Sequence, residues 1–381
     1  MKPKHQLFWL ASLLLFTLPL SAQYQSIDRH AQRAPSELSK DLPALAEYLA
    51  APAETETERA RAFFTWVVDY LRYDDAAARR GKRINQSIRD ILQRRRGLCM
   101  DYARLFKALC DYGGLRCAIV DGYVRTKLDS RQLPPEANHS WNAVYADGQW
   151  RLVDPTWAGS EDELCKRYNT SYFFTPADLF ILNHLPQQPM WQLLPCPVSA
   201  EQFTSSVSQV QAYLSRADSC MAYADSIRHQ LGLPPAEQQL RKMRQAYDFH
   251  SSVDNQEQLA HAMLDYAVHL DEQAEALVLA DSADALMPLQ QRAIRMAREA
   301  AEWVELQDWQ QQLLARLHIN HAIALYQTAE VTDEQMLTQA LQYTKEGLQW
   351  LEKLPENHYY RSYAEQQCGQ LLEQLNYWLD K

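Results

Sequence analysis

The chain has 381 residues, a formal net charge of −10 and a mean hydropathy of −0.45. A chain of this length is expected to contain about two domains. The acidic balance argues against a general nucleic-acid-binding protein, because such proteins present basic surfaces to phosphates.

The first 22 residues have the pattern of a secretory signal peptide. Lys2 and Lys4 precede an apolar run from Leu7 to Leu20, and Ser21-Ala22 supplies small residues for cleavage. The run is too short and too interrupted for a membrane span. Loss of the two leader lysines takes the net charge from −10 to −12. We therefore predict a secreted or periplasmic protein, cleaved after Ala22, whose mature chain has no membrane span.

A helical pattern begins at Cys99. Apolar residues recur from there at helical spacing, and Gly113-Gly114 supplies a C-terminal stop. Cys99 is thus placed in a first turn, where unpaired backbone N–H groups and the helix dipole favour a thiolate. A thiolate is the form of cysteine that attacks a carbonyl carbon. Taken alone, Cys99 also fits a small core cysteine.

A β-hairpin is predicted around Asp147-Gly148, a strong two-residue turn signal between alternating apolar residues. With these two residues as the loop, Ala146 pairs with Gln149, and the numbers of every opposed pair sum to 295. This register places His139 opposite Thr156.

In the same register Asp154 is a diagonal neighbour of His139. Diagonal neighbours are about 7–8 Å apart at the backbone, which permits a hydrogen bond between imidazole and carboxylate. Such a bond holds the imidazole in one tautomer and stabilises its protonated form. Cys99, His139 and Asp154 together therefore predict a Cys-His-Asp catalytic site.

Three sequence blocks carry a family resemblance: the cysteine at the helix start, His-x-Trp-Asn at residues 139–142 and Asp-Pro-Thr-Trp at residues 154–157. They resemble the transglutaminase-like superfamily of papain-type fold, in the branch with the kyphoscoliosis peptidase and bacterial transglutaminase-like proteins. The run AFFTWVVDYLRYD at residues 62–74 is similar to that branch's preceding helix. The run YFFTPADLFILNHLPQQPMWQLL at residues 172–194 is similar to its extension. The resemblance covers residues 35–205.

The resemblance implies an α+β fold, with a papain-like or transglutaminase-like core of a helix and an antiparallel sheet over residues 23–204. It implies that Cys99 is the nucleophile, His139 the general base and acid, and Asp154 the orienting carboxylate. The implied activity is cleavage or transfer of protein or peptide amide bonds. Hydrolysis and transfer both stay open, because one triad serves both. A non-catalytic protein-binding module of the cell envelope is the alternative, and a structural scaffold ranks last.

Composition changes near Ser208, where glycine nearly vanishes and Gln, Ala, Leu and Glu take over. The periodicity predicts an all-α domain of helical hairpins over residues 205–381, loosely similar to a tetratricopeptide array. We expect this domain to bind a protein partner and to carry no chemistry. The predicted helices are 208–231, 236–250, 256–284, 289–306, 308–329, 333–353 and 358–379, with breaks at Pro234-Pro235, Pro288 and Pro355.

No cofactor or metal is expected, because no cofactor motif is present. His318 and His321 have a helical spacing compatible with metal, but no carboxylates cluster beside them at ligand spacing. Trp66 has an indole N–H suited to an oxyanion, although its place in an amphipathic helix favours a core role. The cationic residues Arg79, Arg80, Lys82 and Arg83, with the arginines of residues 94–96, fit a solvated surface better than a role in activating the thiolate or attracting an acidic substrate.

The seven cysteines are an odd number for an exported chain, so at least one thiol stays unpaired, consistent with a reactive Cys99. Cys110 and Cys117 fall in apolar patterns and are predicted to be core residues. Cys165 and Cys196 flank the family extension and are a candidate disulfide, but their spacing does not decide the pairing.

Overall fold

The computed structural model describes residues 24–81, 86–158, 171–279, 283–330 and 332–381. The predicted leader and Cys165 lie outside these ranges. The described residues form two compact units. The first comprises residues up to Asp121, Thr126–Leu128 and His139–Asn183, and the second comprises Gly122–Arg125, Asp129–Asn138 and His184–Lys381. A domain boundary between residues 204 and 205 stays a prediction.

Four helices of the first unit begin at a side-chain cap, supplied by Asp41, Thr55, Asp74 and Ser87. Thr55 and Glu58 form a capping box at the start of α3, satisfying backbone N–H groups that have no partner within the helix. The helix predicted to begin at Cys99 is confirmed as α6, which ends at Tyr112 with Gly113 as its C-cap. The helices are α1 (Gln25–Gln32), α2 (Leu42–Ala50), α3 (Glu56–Tyr70), α4 (Asp75–Arg79), α5 (Ile88–Arg94), α6 (Cys99–Tyr112) and α7 (Ala177–Phe180).

In the described part of the chain, seven strands form two sheets. Strands β1 (Arg72–Tyr73) and β2 (Arg96–Gly97) pair in parallel directly before α6. The larger sheet has the order β6-β5-β4-β3-β7. Its strands are β3 (Arg116–Val124), β4 (His139–Ala146), β5 (Gln149–Val153), β6 (Phe173–Thr175) and β7 (His184–Pro186).

The predicted hairpin register is confirmed, since the β4–β5 ladder runs from Ala146↔Gln149 to Asn142↔Val153. Asp147 and Gly148 form the loop with φ values of 49° and 85°, the left-handed conformations that a tight two-residue turn requires. Asp154 follows the ladder directly, and its backbone N–H donates to the carbonyl of Tyr172.

The core of the first unit lies where helices α2, α3 and α6 pack with the sheet. Leu45, Phe63, Phe106 and Val144 are fully buried there. Each such side chain contributes about 1.5–3 kcal/mol relative to exposure. This packing fixes α6 against β4, so the helix that begins with Cys99 has a defined position relative to the hairpin.

The described residues of the region 205–381 contain helices and no strand, as predicted for an all-α region. Together with the antiparallel sheet of the preceding region, it confirms the α+β core followed by a helical region. The helices are α8 (Ala200–Phe203), α9 (Val207–Leu214), α10 (Tyr223–Gly232), α11 (Pro235–Phe249), α12 (Val253–Leu279), α13 (Ala283–Ala301), α14 (Asp308–Thr328), α15 (Glu334–Glu352) and α16 (Tyr359–Leu379). Its largest core contains Leu259, Met263, Leu270, Ala297 and Leu314.

Several of the predicted helix bounds in this region are wrong. The helix predicted over 256–284 is Val253–Leu279, and the one predicted over 289–306 is Ala283–Ala301. The helix predicted over 208–231 is divided into α9 and α10, because a Cys196–Cys220 disulfide and backbone bonds to the Pro195 carbonyl hold the intervening segment out of a helix. The break predicted at Pro288 is absent, since α13 contains this residue. A helix can continue through proline with the loss of one backbone hydrogen bond and a kink.

No helix among the described residues is both long enough and apolar enough to cross a membrane. The similarity of the helical region to a tetratricopeptide array stays a prediction.

Candidate active site

Cys99 stands at the first position of α6 and is only partly exposed. The turn that leads to it is fixed by Asp101, whose Oδ2 accepts hydrogen bonds from the Leu98 backbone N–H and from Gln86 Nε2, each at 2.9 Å. A Cβ at Gly97 would lie 2.5 Å from the Cβ of Asp101, so only glycine fits there. The backbone N–H of Cys99 has no acceptor among the described residues, as expected in a first turn.

His139 and Asp154 are buried hydrogen-bond partners. The distance between His139 Nε2 and Asp154 Oδ2 is 2.7 Å. The other oxygen of Asp154, Oδ1, accepts from the backbone N–H groups of Thr156 at 2.9 Å and Trp157 at 3.2 Å. The turn after β5 therefore holds the carboxylate in place, and the carboxylate in turn orients the imidazole.

The Cys99 thiol interacts electrostatically with the His139 side chain and the backbone of Ser140. Nε2 of His139 is the ring nitrogen that faces Asp154. Burial alone would raise the pKa of the Cys99 thiol, but the hydrogen bond and charge of His139, with the Ser140 backbone, lower it below its ordinary value.

The pKa of His139 moves in the opposite direction. Burial lowers it, but the charge and hydrogen bond of Asp154 and the interaction with Cys99 outweigh burial and raise it to about 10. A depressed thiol pKa and an elevated imidazole pKa favour a thiolate–imidazolium pair at neutral pH. The arrangement can therefore present a charged nucleophile and a proton donor side by side.

Aromatic rings enclose the imidazole of His139. Its ring centroid lies 5.9 Å from that of Trp141 and 5.5 Å from that of Trp157. Trp157 contacts Tyr172 edge-on at 5.6 Å. These rings reduce the access of water, so the electrostatic interactions between His139 and Asp154 are stronger than in solvent.

The sequence interpretation overlooked residues that position the site. Asn142 is fully buried and its Nδ2 donates to the Ala103 carbonyl at 3.0 Å, which ties β4 to the second turn of α6. Ser140 Oγ donates to Asp121 Oδ1 at 2.6 Å, which links β4 to β3. The available signal was the alternation in His-Ser-Trp-Asn, because polar Ser140 and Asn142 share one face of a buried strand.

The remaining sequence candidates have other surroundings. Trp66 is buried and stacks on Tyr70 at 4.3 Å, as predicted for a core aromatic. His318 is bonded at Nδ1 to the Leu314 carbonyl at 2.6 Å and accepts at Nε2 from Arg298 at 3.0 Å. His321 Nδ1 lies 3.0 Å from Gln290 Oε1. The two imidazoles thus have separate hydrogen-bond partners and do not face a common position for a metal ion.

The cysteines outside the site also have assigned surroundings. Cys196 bonds to Cys220, so the Cys165–Cys196 candidate is wrong. Cys110 is fully buried in the core of the first unit, and partly buried Cys117 packs against that core. The prediction of a core residue is confirmed for Cys110, whereas Cys117 lies at the edge of the core.

A cysteine at a helix start, with histidine and aspartate from an antiparallel hairpin beside it, is the arrangement of a transglutaminase-like domain. Residues 43–155 match the model of the Transglutaminase-like superfamily, and this range includes all three residues. The resemblance seen in the sequence is confirmed, since residues 43–155 are similar to this superfamily.

Curated relatives share this region. The chain is 35% identical to kyphoscoliosis peptidase of Homo sapiens over 204 residues, which covers 52% of this chain and 30% of that protein. It is 30% identical to Hillarin of Drosophila melanogaster over 216 residues, covering 50% of this chain and 25% of the relative. The chain therefore spans about a third or less of the length of these relatives.

A solved structure described as the crystal structure of a TGase is also similar, with a TM-score of 0.26 and 18% identity, covering 40% of this chain and 37% of that one. The catalytic roles of Cys99, His139 and Asp154 in this chain stay a prediction.

Proposed function

We propose that the protein is an exported thiol enzyme that cleaves or transfers amide bonds of a protein or peptide substrate. The observation that carries this proposal is the buried 2.7 Å hydrogen bond between His139 Nε2 and Asp154 Oδ2, together with a Cys99 thiol whose pKa is lowered by His139. The similarity to a protein named as a peptidase supports a peptide amide as the substrate. The leader pattern of residues 1–22 supports export.

In the first half of the reaction, the Cys99 thiolate attacks the amide carbonyl carbon and forms a carbon–sulfur bond. The negative charge that develops on the carbonyl oxygen is stabilised by the Cys99 backbone N–H. The imidazolium of His139 donates its Nδ1 proton to the departing amine, and the carbon–nitrogen bond breaks. Asp154 keeps the ring oriented and stabilises its charged form. The product on the protein is a thioester at Cys99.

In the second half, neutral His139 removes a proton from the acceptor as the acceptor attacks the thioester carbonyl. The carbon–sulfur bond then breaks and restores the Cys99 thiolate beside the imidazolium. Water as the acceptor gives a peptidase or amidase, and a primary amine gives a transglutaminase. The triad serves both outcomes, so the acceptor decides the reaction.

The decisive experiment compares the wild-type protein with Cys99→Ala. Each is incubated with a cell-envelope protein extract and a labelled primary amine, and the products are analysed by mass spectrometry. Label that only the wild type incorporates indicates transfer, and new peptide termini that only the wild type produces indicate hydrolysis. If neither product depends on Cys99 over a broad substrate panel, the enzyme proposal fails. The alternative, a non-catalytic protein-binding module of the envelope, then replaces it.

Export has a separate test. Expression of the full sequence, followed by N-terminal sequencing of the protein recovered outside the cytosol, should give a mature chain that begins at Gln23. Recovery of uncleaved protein in the cytosol would contradict export without affecting the proposed chemistry.

A further inference from the structure

The first unit contains a large cavity, of about 880 Å³, whose lining includes none of the three residues of the candidate active site. This volume is within the range of about 300–1,000 Å³ that ligand-binding pockets have. It lies between the start of α2, the end of α3, helix α5 and the C-terminal end of α6. We call it the α2–α5 groove.

Three cationic side chains line the α2–α5 groove: Lys40, Arg89 and Arg95. All three are exposed, and none forms an ion pair with a carboxylate among the described residues. Asp41 is the only acidic residue in the described lining, and its side chain caps α2 through a bond from the Ala44 N–H at 3.2 Å. The groove therefore has a net positive charge in a protein whose total charge is −10.

Contacts in the wall of the groove orient one of these cations, Arg95. The Arg95 guanidinium lies 4.7 Å from the ring centroid of Tyr70, a cation–π geometry. The hydroxyl of Tyr70 donates to the Leu92 carbonyl at 2.9 Å, and its ring stacks on buried Trp66. Arg95 has a φ of 49°, the left-handed conformation that ends α5. Tertiary packing thus holds Tyr70, and Tyr70 supports the arginine.

Apolar surface separates the charges. Leu42, Pro43, Ile88 and Leu92 line the groove beside the cations, and Tyr112 contributes a ring that is 58% exposed. The apolar side chains of a bound peptide can pack against this apolar surface, while its carboxylates pair with the arginines. A polyanion such as nucleic acid, in contrast, is repelled by the acidic remainder of the protein. The chemistry fits a short peptide that alternates acidic and apolar residues.

The groove is close to Cys99 along the chain. Arg95 precedes Cys99 by four residues, so their Cα atoms are separated by at most about 14 Å. The intervening residues form β2, whose pairing with β1 fixes this connection. A peptide of about four extended residues spans the same distance.

We infer that the α2–α5 groove binds an acidic segment of the peptide substrate, with Lys40, Arg89 and Arg95 as its contacts to carboxylates. That the bound segment belongs to a substrate rests on the function proposed above. The binding itself does not, because it requires no reaction at Cys99.

Binding is measured with the full chain carrying Cys99→Ala, so that no turnover occurs. The probe is a fluorescein-labelled peptide of alternating Glu and Leu or Phe, and the matched probe has Lys in place of Glu. The groove variant is Lys40→Glu/Arg89→Glu. The control variant, Arg29→Glu/Arg33→Glu, makes the same change in charge on exposed residues of the first unit outside the groove lining. Circular dichroism and thermal melting establish whether each variant is folded. If the groove variant is not folded, Arg89→Gln is used in its place.

We expect fluorescence anisotropy to show saturable binding of the acidic probe and not of the lysine probe. The groove variant should bind the acidic probe at least about tenfold more weakly than the Cys99→Ala protein. The loss should be about threefold for Arg89→Gln and less than twofold for the control variant. Equal losses in the groove and control variants would overturn the inference. Equal binding of the lysine probe, or tighter binding of phosphatidylglycerol vesicles or oligo-dT, would also overturn it.

The two proposals fail separately. If wild-type protein forms Cys99-dependent products but the acidic probe does not bind, the groove inference is wrong and the proposed function stands. If the probe binds in the groove but no product depends on Cys99, the groove is a peptide-binding site and the proposed enzyme function is wrong.

Discussion

Asp154 holds His139 with one oxygen and its own turn with the other. Oδ2 lies 2.7 Å from His139 Nε2, whereas Oδ1 accepts from the backbone N–H groups of Thr156 and Trp157. One carboxylate thus connects the orientation of the imidazole to the conformation of the chain after β5. Two substitutions at Asp154 separate these two roles.

Asp154→Asn should lower turnover by about 10²- to 10⁴-fold with little change in melting temperature. The Asn oxygen can still accept from Thr156 and Trp157, but its amide N–H₂ faces Nε2 and favours the wrong tautomer of His139. Asp154→Ala should lose a similar amount of activity and also about 1–3 kcal/mol of stability, because two backbone N–H groups lose their acceptor. Kinetics on a peptide amide and thermal denaturation check both. Full activity in Asp154→Asn would contradict the role assigned to this residue.

Cys99 should be the most reactive of the described free thiols. The pKa of its thiol lies below the ordinary value, whereas burial raises the pKa of Cys368 to about 11 and that of Cys110 well above its usual range. Limited iodoacetamide at pH 6, followed by peptide mapping, should label Cys99 first. His139→Ala should slow this labelling because it removes the group that stabilises the thiolate. Faster labelling of Cys117 or Cys368 would disprove the prediction.

Acidification should destabilise the helical region through His318 and His321. Burial lowers the pKa of each imidazole to about 4, with the Arg298 charge adding to the effect at His318 and the His318 charge at His321. These folded-state pKa values lie below the unfolded value of about 6.5. The two histidines therefore contribute their full stability above pH 6.5, and this stability is lost as pH falls toward 4. The loss should be about 3 kcal/mol per residue.

The measurement is urea unfolding, followed by circular dichroism at 222 nm, between pH 7 and pH 4. Carboxylates contribute to acid unfolding as well, so the informative quantity is the difference between wild type and His318→Gln. The variant should show a shallower decline of the free energy of unfolding with falling pH. Parallel curves for the two proteins would show that His318 does not titrate in this way.

The Cys196–Cys220 disulfide should stabilise the second unit by about 3 kcal/mol, because it closes a loop in the unfolded chain between residues that are 24 apart. Cys196→Ala/Cys220→Ala, compared with wild type by urea unfolding in the absence of reductant, should show this loss. Cys368→Ala tests for a general effect of removing a buried sulfur. Added reductant should destabilise wild type and leave the double variant unchanged, and a wild type that is insensitive to reductant would contradict the assignment.

Residues 23–204 expressed alone should be less stable than the full chain. Within the second unit, Asn255 donates from Nδ2 to the Tyr123 hydroxyl at 3.0 Å and accepts at Oδ1 from Gln187 Nε2 at 2.9 Å. Tyr123 is fully buried. A boundary at residue 204 removes Asn255, so the fragment should melt at a lower temperature and lose activity on small amide and protein substrates together. Equal melting temperatures would instead show that the helices after residue 205 are separable.

A full-chain control isolates this network. Asn255→Leu leaves the Tyr123 hydroxyl and the Gln187 amide without this partner and should cost about 1–3 kcal/mol. Combining it with Tyr123→Phe should cost less than the sum of the two single substitutions, because they remove the same hydrogen bond. Additive effects would mean that this bond does not couple the two residues.

The sequence predicted the structure well where residues adjacent in the chain decide it. Asp147-Gly148 defines the hairpin because its two residues adopt left-handed backbone conformations, and the register follows residue by residue. The start of α6 at Cys99 follows from the apolar spacing and from Gly113 at its end. The division between α9 and α10 was not predictable in this way, because a disulfide to a residue 24 positions away interrupts a helical pattern.

The sequence by itself determined which residue types are available for thiol chemistry and the strand register that brings His139 toward Asp154. Only the tertiary structure decided where α6, which begins at Cys99, lies relative to the strand that carries His139. That placement depends on α6 packing against β4, with Asn142 bonded to Ala103 and a buried core around Phe106. Hydrophobic packing is not directional, so the distance in space between segments that are far apart in the sequence cannot be inferred from residue order. The hairpin was predictable because a local turn sets it, whereas the approach of the thiol required the folded core.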